Sequence, residues 1–283
     1  MPQNVAAWMG CGNMEFRNSV IDRLNLLPAV LEAIRNTPLP ENHGQIKDLF
    51  FNDPNGFREY ALHFIDGLTI LSMYIEWLPD TKLLYDSHNI PESYFWNSIR
   101  EIKIWSDDFY KKNKVPGFSE WEWVGRTLRL EVVRIGRLQF LPTVLRENIT
   151  ICDCVYEAGT PVLDVHIPAG EGLHTADVMT SLMQAPLLFK KYFKKEFVLF
   201  HCNSWLLSPT IRELLPEKSR IIQFQNLFNI YKTDNVRQAE ERVFGFIAKD
   251  ASLYPENTFL QRTLKQSVLA GKTVGMAAGI RKI

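Results

Sequence analysis

The sequence predicts an α+β protein, an all-helical N-terminal half followed by a C-terminal half built on a mixed sheet. Three observations carry this. Apolar residues recur at spacings of three and four from Asn13 to about Leu130. Short β-rich runs take over after it, and from Val162 onward strand-like runs alternate with helix-like ones.

In the first half, SVIDRLNLLPAVLEAI, FREYALHFIDGLTILSMYIEWL and SYFWNSIREIKIWSDDFY carry the helical spacing, with NDPNG, WLPD and KNKVPGFSE as punctuation. Pro91 suits the first turn of the helix that follows it. The aromatic stripe Tyr94, Trp96, Trp105 and Phe109 is expected in the core. We place the domains at residues 1–128 and 129–283. Phe118, Trp121 and Trp123, in the segment NKVPGFSEWEW, have two readings: they complete the helical core, or they pack between the domains.

Composition narrows the function. The chain has 283 residues, 46% of them hydrophobic, enough for a packed core. Lys plus Arg (32) balances Asp plus Glu (32), which argues against a nucleic-acid or anionic-membrane partner. KKYFKKEF, the one basic cluster in question, reads as a solvated helix end. Apolar runs are interrupted by residues such as Asp66 and Glu76, and the N-terminus has no charged segment leading a long apolar one, so a cytoplasmic, soluble protein is expected. Cys11, Cys152, Cys154 and Cys202 lack the spacing of a metal knuckle, so no metal site is expected; Cys152 and Cys154 are expected to be buried on one strand face.

The second half opens with RLEVVRIGRLQFLPTV, NITICDCVYEAG and TPVLDVHIP, read as three successive antiparallel strands. Gly136 lies between Arg134 and Arg137 and marks a bulge or a close backbone approach. The two arginines are expected on a solvated strand face. Next come the glycine loop within VLDVHIPAGEGLHTADV, the helix TADVMTSLMQAPLLFKKYF, the strand EFVLFHCNSWLL, the short helix PTIRELLP and the strand SRIIQFQNLFNIYK. A strand–helix–strand crossover sets two strands parallel, with the helix N-terminus at the end of the first. Unpaired N–H groups and the positive end of the helix dipole suit a pyrophosphate there, and Gly170 and Gly172 let the backbone come close. In a chain with 15 glycines, a G-x-G by itself is no evidence.

Alternation on TPVLDVHIP puts Asp164 and His166 on one face and Leu163, Val165 and Ile167 on the other. A carboxylate beside a histidine raises its pKa and orients its ring. His201, Asn203 and Trp205 share a face of the next strand, opposite Cys202 and Ser204. Parallel neighbours are expected to bring His166 and His201 together.

This element order resembles the GNAT N-acyltransferase fold. More closely, GRTLRLEVVRIGRLQF, VLDVHIPAGEGL, HCNSWLLSPTIRELLP and SRIIQF resemble a bacterial family of N-acyltransferase-like proteins with a helical N-terminal domain and a GNAT-like C-terminal domain. The resemblance implies acetyl-CoA or another acyl-CoA as co-substrate and a small-molecule amine as acceptor; Asp164, His166 and His201, by their strand positions, are the expected catalytic groups. It implies CoA contacts at Ile167, Ala169, Gly170, Gly172, Leu173 and His174. Where the GNAT loop opens with Gln or Arg, this chain has Ile167; Glu171 adds an anion; and PTIRELLP lacks the Tyr that commonly serves as general acid, while Tyr231 lies beyond the next strand. The alternative to an enzyme is therefore an inactive GNAT-like scaffold that binds a metabolite or a partner protein.

Overall fold

The structure, a computed structural model, describes residues 5–151 and 153–283, with side chains from residue 15 onward. It divides into two compact units, Met1–Arg134 and Ile135–Ile283. Among the described residues no helix is long and apolar enough to cross a membrane.

The first unit is helical: α1 (Val5–Leu24), α2 (Pro28–Asn36), α3 (His43–Asn52), α4 (Pro54–Phe64), α5 (Gly67–Glu76), α6 (Leu78–Ser87), α7 (Glu92–Asn113) and α8 (Trp121–Leu128). Asp53 and Asp66 cap α4 and α5 by accepting from Gly56 N and from Leu68 and Thr69 N, which satisfies first-turn donors. The core is aromatic. Phe50 lies 5.1 Å from the rings of both Phe57 and Tyr74 and 5.2 Å from Trp77. Burying each such side chain contributes roughly 1.5–3 kcal/mol. Phe118 packs edge-on to Tyr74 and Trp121 to Phe57, both within this unit.

Two expectations for this unit are corrected. Tyr94, Trp96, Trp105 and Phe109 are half-buried, because α7 turns Phe95, Ser98, Ile99 and Ile102 inward instead. Trp96 is left on the flank, with the Arg23 guanidinium 4.2 Å above its ring. Arg134 is buried, not solvated, and it lies 3.6 Å from Glu101, both side chains 1% exposed. A buried guanidinium is tolerated when a carboxylate offsets its desolvation.

The sheet of the C-terminal part comprises β1 (Val133–Ile135), β2 (Leu138–Val144), β5 (Pro161–His166), β6 (Leu199–Ser204), β7 (Asn229–Asp234) and β8 (Met276–Lys282), in the order β1-β2-β5-β6-β8-β7. β5 and β6 are parallel; β2–β5, β6–β8 and β8–β7 are antiparallel. The helices are α9 (Thr175–Leu188), running into a π turn at Phe189–Phe193, α10 (Pro209–Leu214), α11 (Arg220–Gln225), α12 (Gln238–Phe244) and α13 (Phe259–Leu269). A core of Ile211, Ile222, Ala239, Tyr254, Leu264 and Val274 joins α10–α13.

Three strand expectations change here. NITICDCVYEAG does not enter the main sheet; it forms a separate hairpin of β3 (Ile149–Ile151) and β4 (Cys154–Tyr156), while β2 pairs directly with β5. Its turn passes through Asp153 with φ 63°, and Cys154 is exposed, so the expected burial fails there; Cys152, like the side chain of Cys11, lies outside the described residues. SRIIQF is the helix α11, not a strand, because Ser219 caps it by accepting from Ile222 N and it buries Ile222 and Gln225 three residues apart. Trp205 leaves β6 for a 3₁₀ turn, so it does not continue the His201 face.

The alternation on β5 is regular. Leu163 and Val165 are buried on one side; Val162, with Leu199 of β6 and Ile280 of β8, packs on the other against Leu145 and Ile149. Asp164, His166 and His201 belong to this second side.

Candidate functional site

Two structures meet at the C-terminal end of β5: a chain of side-chain hydrogen bonds across the strands and a backbone loop. Asp164 stands opposite His201 in the parallel register, and the pairing of β5 with β6 stops there although both strands run on. The strands part beyond that pair. Such an opening beyond the carboxyl ends of parallel strands is where open sheets bind ligands.

Asp164 bridges the two histidines. Its Oδ2 is 3.0 Å from His166 Nε2 and its Oδ1 is 2.7 Å from His201 Nδ1. Burial alone pushes a carboxyl pKa up, but the hydrogen bonds from His166 and His201 outweigh it and bring Asp164 down to about 2. An ionised carboxylate only accepts, so both histidine nitrogens facing it carry protons. With the proton on Nδ1, the uncharged tautomer of the His201 ring has Nε2 as its acceptor, and the Tyr231 hydroxyl lies 3.0 Å from that nitrogen. Burial, and then the negative charges of Glu147 and Asp164, raise the Tyr231 pKa.

Tyr231 owes its place to a bulge. On β7, Ile230 pairs with Gly279 and Lys232 with Ala278, so Tyr231 is the extra residue. The strand between β6 and β7 carries Ala277, Ala278 and Gly279, small enough for a phenol to reach across. Cys202 is buried on the opposite side of β6, and burial followed by the Asp164 charge pushes its thiol pKa up, which disqualifies it as a nucleophile.

The loop is braced from behind by Arg137. Its Nε donates to Gly172 O at 3.0 Å and its Nη2 to Glu171 O at 2.6 Å. In a trans peptide the C=O and the following N–H point opposite ways. Fixing those carbonyls toward Arg137 turns the amides of Gly172 and Leu173 away from it. Arg137 is held in turn, since its own N–H donates to Ser181 Oγ on α9 at 2.9 Å and Gly136 takes φ +59° against the same serine. The expected solvated face for Arg137 is thus corrected: it is 5% exposed because the loop carbonyls solvate its charge.

Gly170 takes φ +96°, which requires glycine, and nothing lies within 4 Å of where its Cβ would be. Ile167 is half-buried, Ala169, Gly170 and Gly172 are exposed, and Leu173 is buried. His174 occupies the N-cap position of α9 without a side-chain cap bond. Among the described residues no group of three or more His, Cys, Asp or Glu could hold a metal ion.

The sequence assigns roles to Asp164, His166 and His201, but it leaves Tyr231 beyond the next strand without a role and puts Arg137 on a solvated face. A bulge has no sequence mark of its own, although the small residues of MAAG on β8 hint at a close approach.

Residues 132–281 match the GNAT-like C-terminal domain, and residues 16–130 match the N-acyltransferase N-terminal domain. This chain belongs to the family of the GNAT-like C-terminal domain. Solved acyltransferases share the fold of this family member. One is a mutant in complex with octanoyl-CoA, with a TM-score of 0.77 and 21% identity over 95% of this chain and 88% of that one. Another is in complex with decanoyl-CoA and teicoplanin, with a TM-score of 0.77 and 20% identity over 100% of this chain and 96% of that one. A third is in complex with CoA and 10C-teicoplanin, with a TM-score of 0.76 and 20% identity over the same shares. No curated protein matches this GNAT-like chain.

Proposed function

We propose that the protein transfers an acyl group from an acyl-CoA thioester to an amine on a small-molecule acceptor, in the gap that opens between β5 and β6. The observation that carries this reading is the line of hydrogen bonds from His166 through Asp164 and His201 to Tyr231. The acyl-CoA seen with relatives of this fold supports the donor. The amides of Gly172 and Leu173, turned outward by Arg137 at the N-terminus of α9, suit its pyrophosphate. Ile167, Ala169, Gly170 and His174 complete that contact.

The chemistry asks for a neutral amine, removal of one proton as the C–N bond forms, and a proton for the sulfur as the C–S bond breaks. His201 Nε2 takes the amine proton, directly or through the Tyr231 hydroxyl, and Asp164 stabilises the resulting imidazolium. Tyr231 gives its phenolic proton to the departing thiolate and regains one from His201. The net transfer is one proton from amine to sulfur, so the relay ends as it began. His166 holds the second oxygen of Asp164 and keeps the carboxylate oriented.

The test is thiol release from octanoyl- and decanoyl-CoA with a panel of amines, starting with teicoplanin because relatives were solved with it. Acceptor-dependent release that falls about a hundredfold in His201→Ala supports the reading. A chain that binds acyl-CoA but acylates no amine would support the scaffold alternative.

A further inference from the structure

The loop lacks a side-chain cation at its first position, which is Ile167, yet a cation reaches it from another element. A Cβ built on Gly172 would lie 2.8 Å from Arg220 Nη1 and 3.4 Å from His174 Nε2, so the guanidinium and the imidazole flank the exposed backbone of that glycine. Arg220 is the first residue of α11 and is exposed, and its guanidinium makes no ion pair or hydrogen bond with another described residue. Among the arginines of this region its state is unusual: Arg137 is spent on the loop carbonyls and Arg212 donates to Asn226 Oδ1.

α11 is held in place beside α9. The Thr175 hydroxyl, in the first turn of α9, donates to Gln223 Oε1 at 2.5 Å, Gln225 Nε2 donates to Ser208 O at 2.8 Å, and Ile222 and Phe224 are buried. The base of the Arg220 side chain is therefore fixed while its head is open to solvent on the loop. Holding a long side chain at one end lowers the entropy lost when the other end binds. Gly172 leaves the space between guanidinium and backbone amide unfilled.

We infer that Arg220 is the side-chain anchor for the pyrophosphate of the acyl donor, supplying from α11 the charge that the loop itself does not carry. Arg137 and Arg220 then divide one task. Arg137 aims the backbone donors from the buried side, and Arg220 adds a planar, permanently charged donor pair from the solvent side. The inference rests on the acyl-CoA reading above and adds to it a residue outside the loop.

Calorimetry with CoA, dephospho-CoA and pantetheine separates the possibilities. Arg220→Gln should weaken CoA and dephospho-CoA by about tenfold or more, leave pantetheine unchanged and flatten the salt dependence of CoA binding. Arg220→Lys should recover part of the loss, and both variants should melt with the wild-type protein because Arg220 supports no buried contact. Equal CoA affinity in wild type and Arg220→Gln overturns the inference alone, as does an equal loss for pantetheine. A loss seen with CoA but absent with dephospho-CoA overturns the pyrophosphate assignment by moving Arg220 to the ribose phosphate. Wild-type protein that binds no CoA overturns the donor reading and this inference with it.

Discussion

The C-terminal unit contains two clusters with the same three parts, a carboxylate, a nitrogen base and a phenol, and they differ in charge and burial. In one, Asp164 accepts from His201, whose far nitrogen meets Tyr231. In the other, Glu240 accepts from Arg237 at 2.7 and 2.5 Å and from Tyr254 at 2.5 Å, with the Tyr254 ring stacked 3.9 Å from Phe244. The guanidinium holds the Glu240 carboxyl below its ordinary range, and Glu240 holds Arg237 still more firmly charged. No proton can move between such partners at neutral pH. An imidazole, unlike a guanidinium, is a side chain that can exchange a proton near neutral pH. The first cluster is also half-open, whereas the Glu240 side chain is 1% exposed. The two clusters thus share a hydrogen-bond pattern and differ in the group at its centre.

The sharpest way to break this comparison is to remove each centre. Glu240→Ala should cost about 3 kcal/mol in urea denaturation, the low end for a broken buried pair because Arg237 is 40% exposed, while the folded fraction keeps its turnover. His201→Ala should do the reverse, lowering turnover about a hundredfold, roughly 2.7 kcal/mol in barrier, with little change in melting temperature. Equal losses of stability in both variants would put His201 in the same class as Arg237.

Acid titration sharpens the contrast further. Because the Asp164 carboxyl titrates at about 2 in the folded chain, below its ordinary 3.8, its contribution to stability is present above the ordinary value and is lost as pH falls through about 2. The difference corresponds to about 2 kcal/mol. Urea denaturation of wild type and Asp164→Asn should show that gap at pH 6 and see it narrow between about pH 4 and pH 2. A gap independent of pH would mean that the carboxylate charge contributes nothing.

The two phenols give a smaller test. Tyr231→Phe should cost about tenfold in turnover, and Tyr254→Phe should cost about 1 kcal/mol of stability and leave turnover alone. Of similar size is Gly172→Asp, which places a carboxylate against Arg220 and should weaken CoA about tenfold, or 1.4 kcal/mol, by calorimetry.

Much of this was legible in the residues because it depends on periodicity. The change of spacing near Leu130 marks the passage from helices to strands, and alternation along β5 puts Asp164 and His166 on one side of the sheet. What depends on tertiary partners was not. SRIIQF looks like a strand by its β-branched residues, and only Ser219 and the packing of Ile222 decide for a helix. Arg134 and Arg137 look like a solvated edge, because nothing local announces a carboxylate at Glu101 or two carbonyls at residues 171 and 172. The β3–β4 hairpin leaves the sheet for a reason that alternation does not contain: β2 and β5 pair across its base, where Leu145 N donates to Thr160 O.

The bulge on β7 has an effect on how much a strand can say to one side of a sheet. A regular strand addresses each side with every second residue, about one side chain per 6.6 Å of length. At Tyr231 and Lys232 two consecutive residues address the same side, one meeting His201 and the next meeting Glu147 at 2.7 Å. The strand acquires a local doubling of vocabulary without lengthening. Deleting one residue there would restore the ordinary cadence and force a choice between phenol and ammonium, so in this stretch chain length, as much as residue identity, decides what the sheet presents.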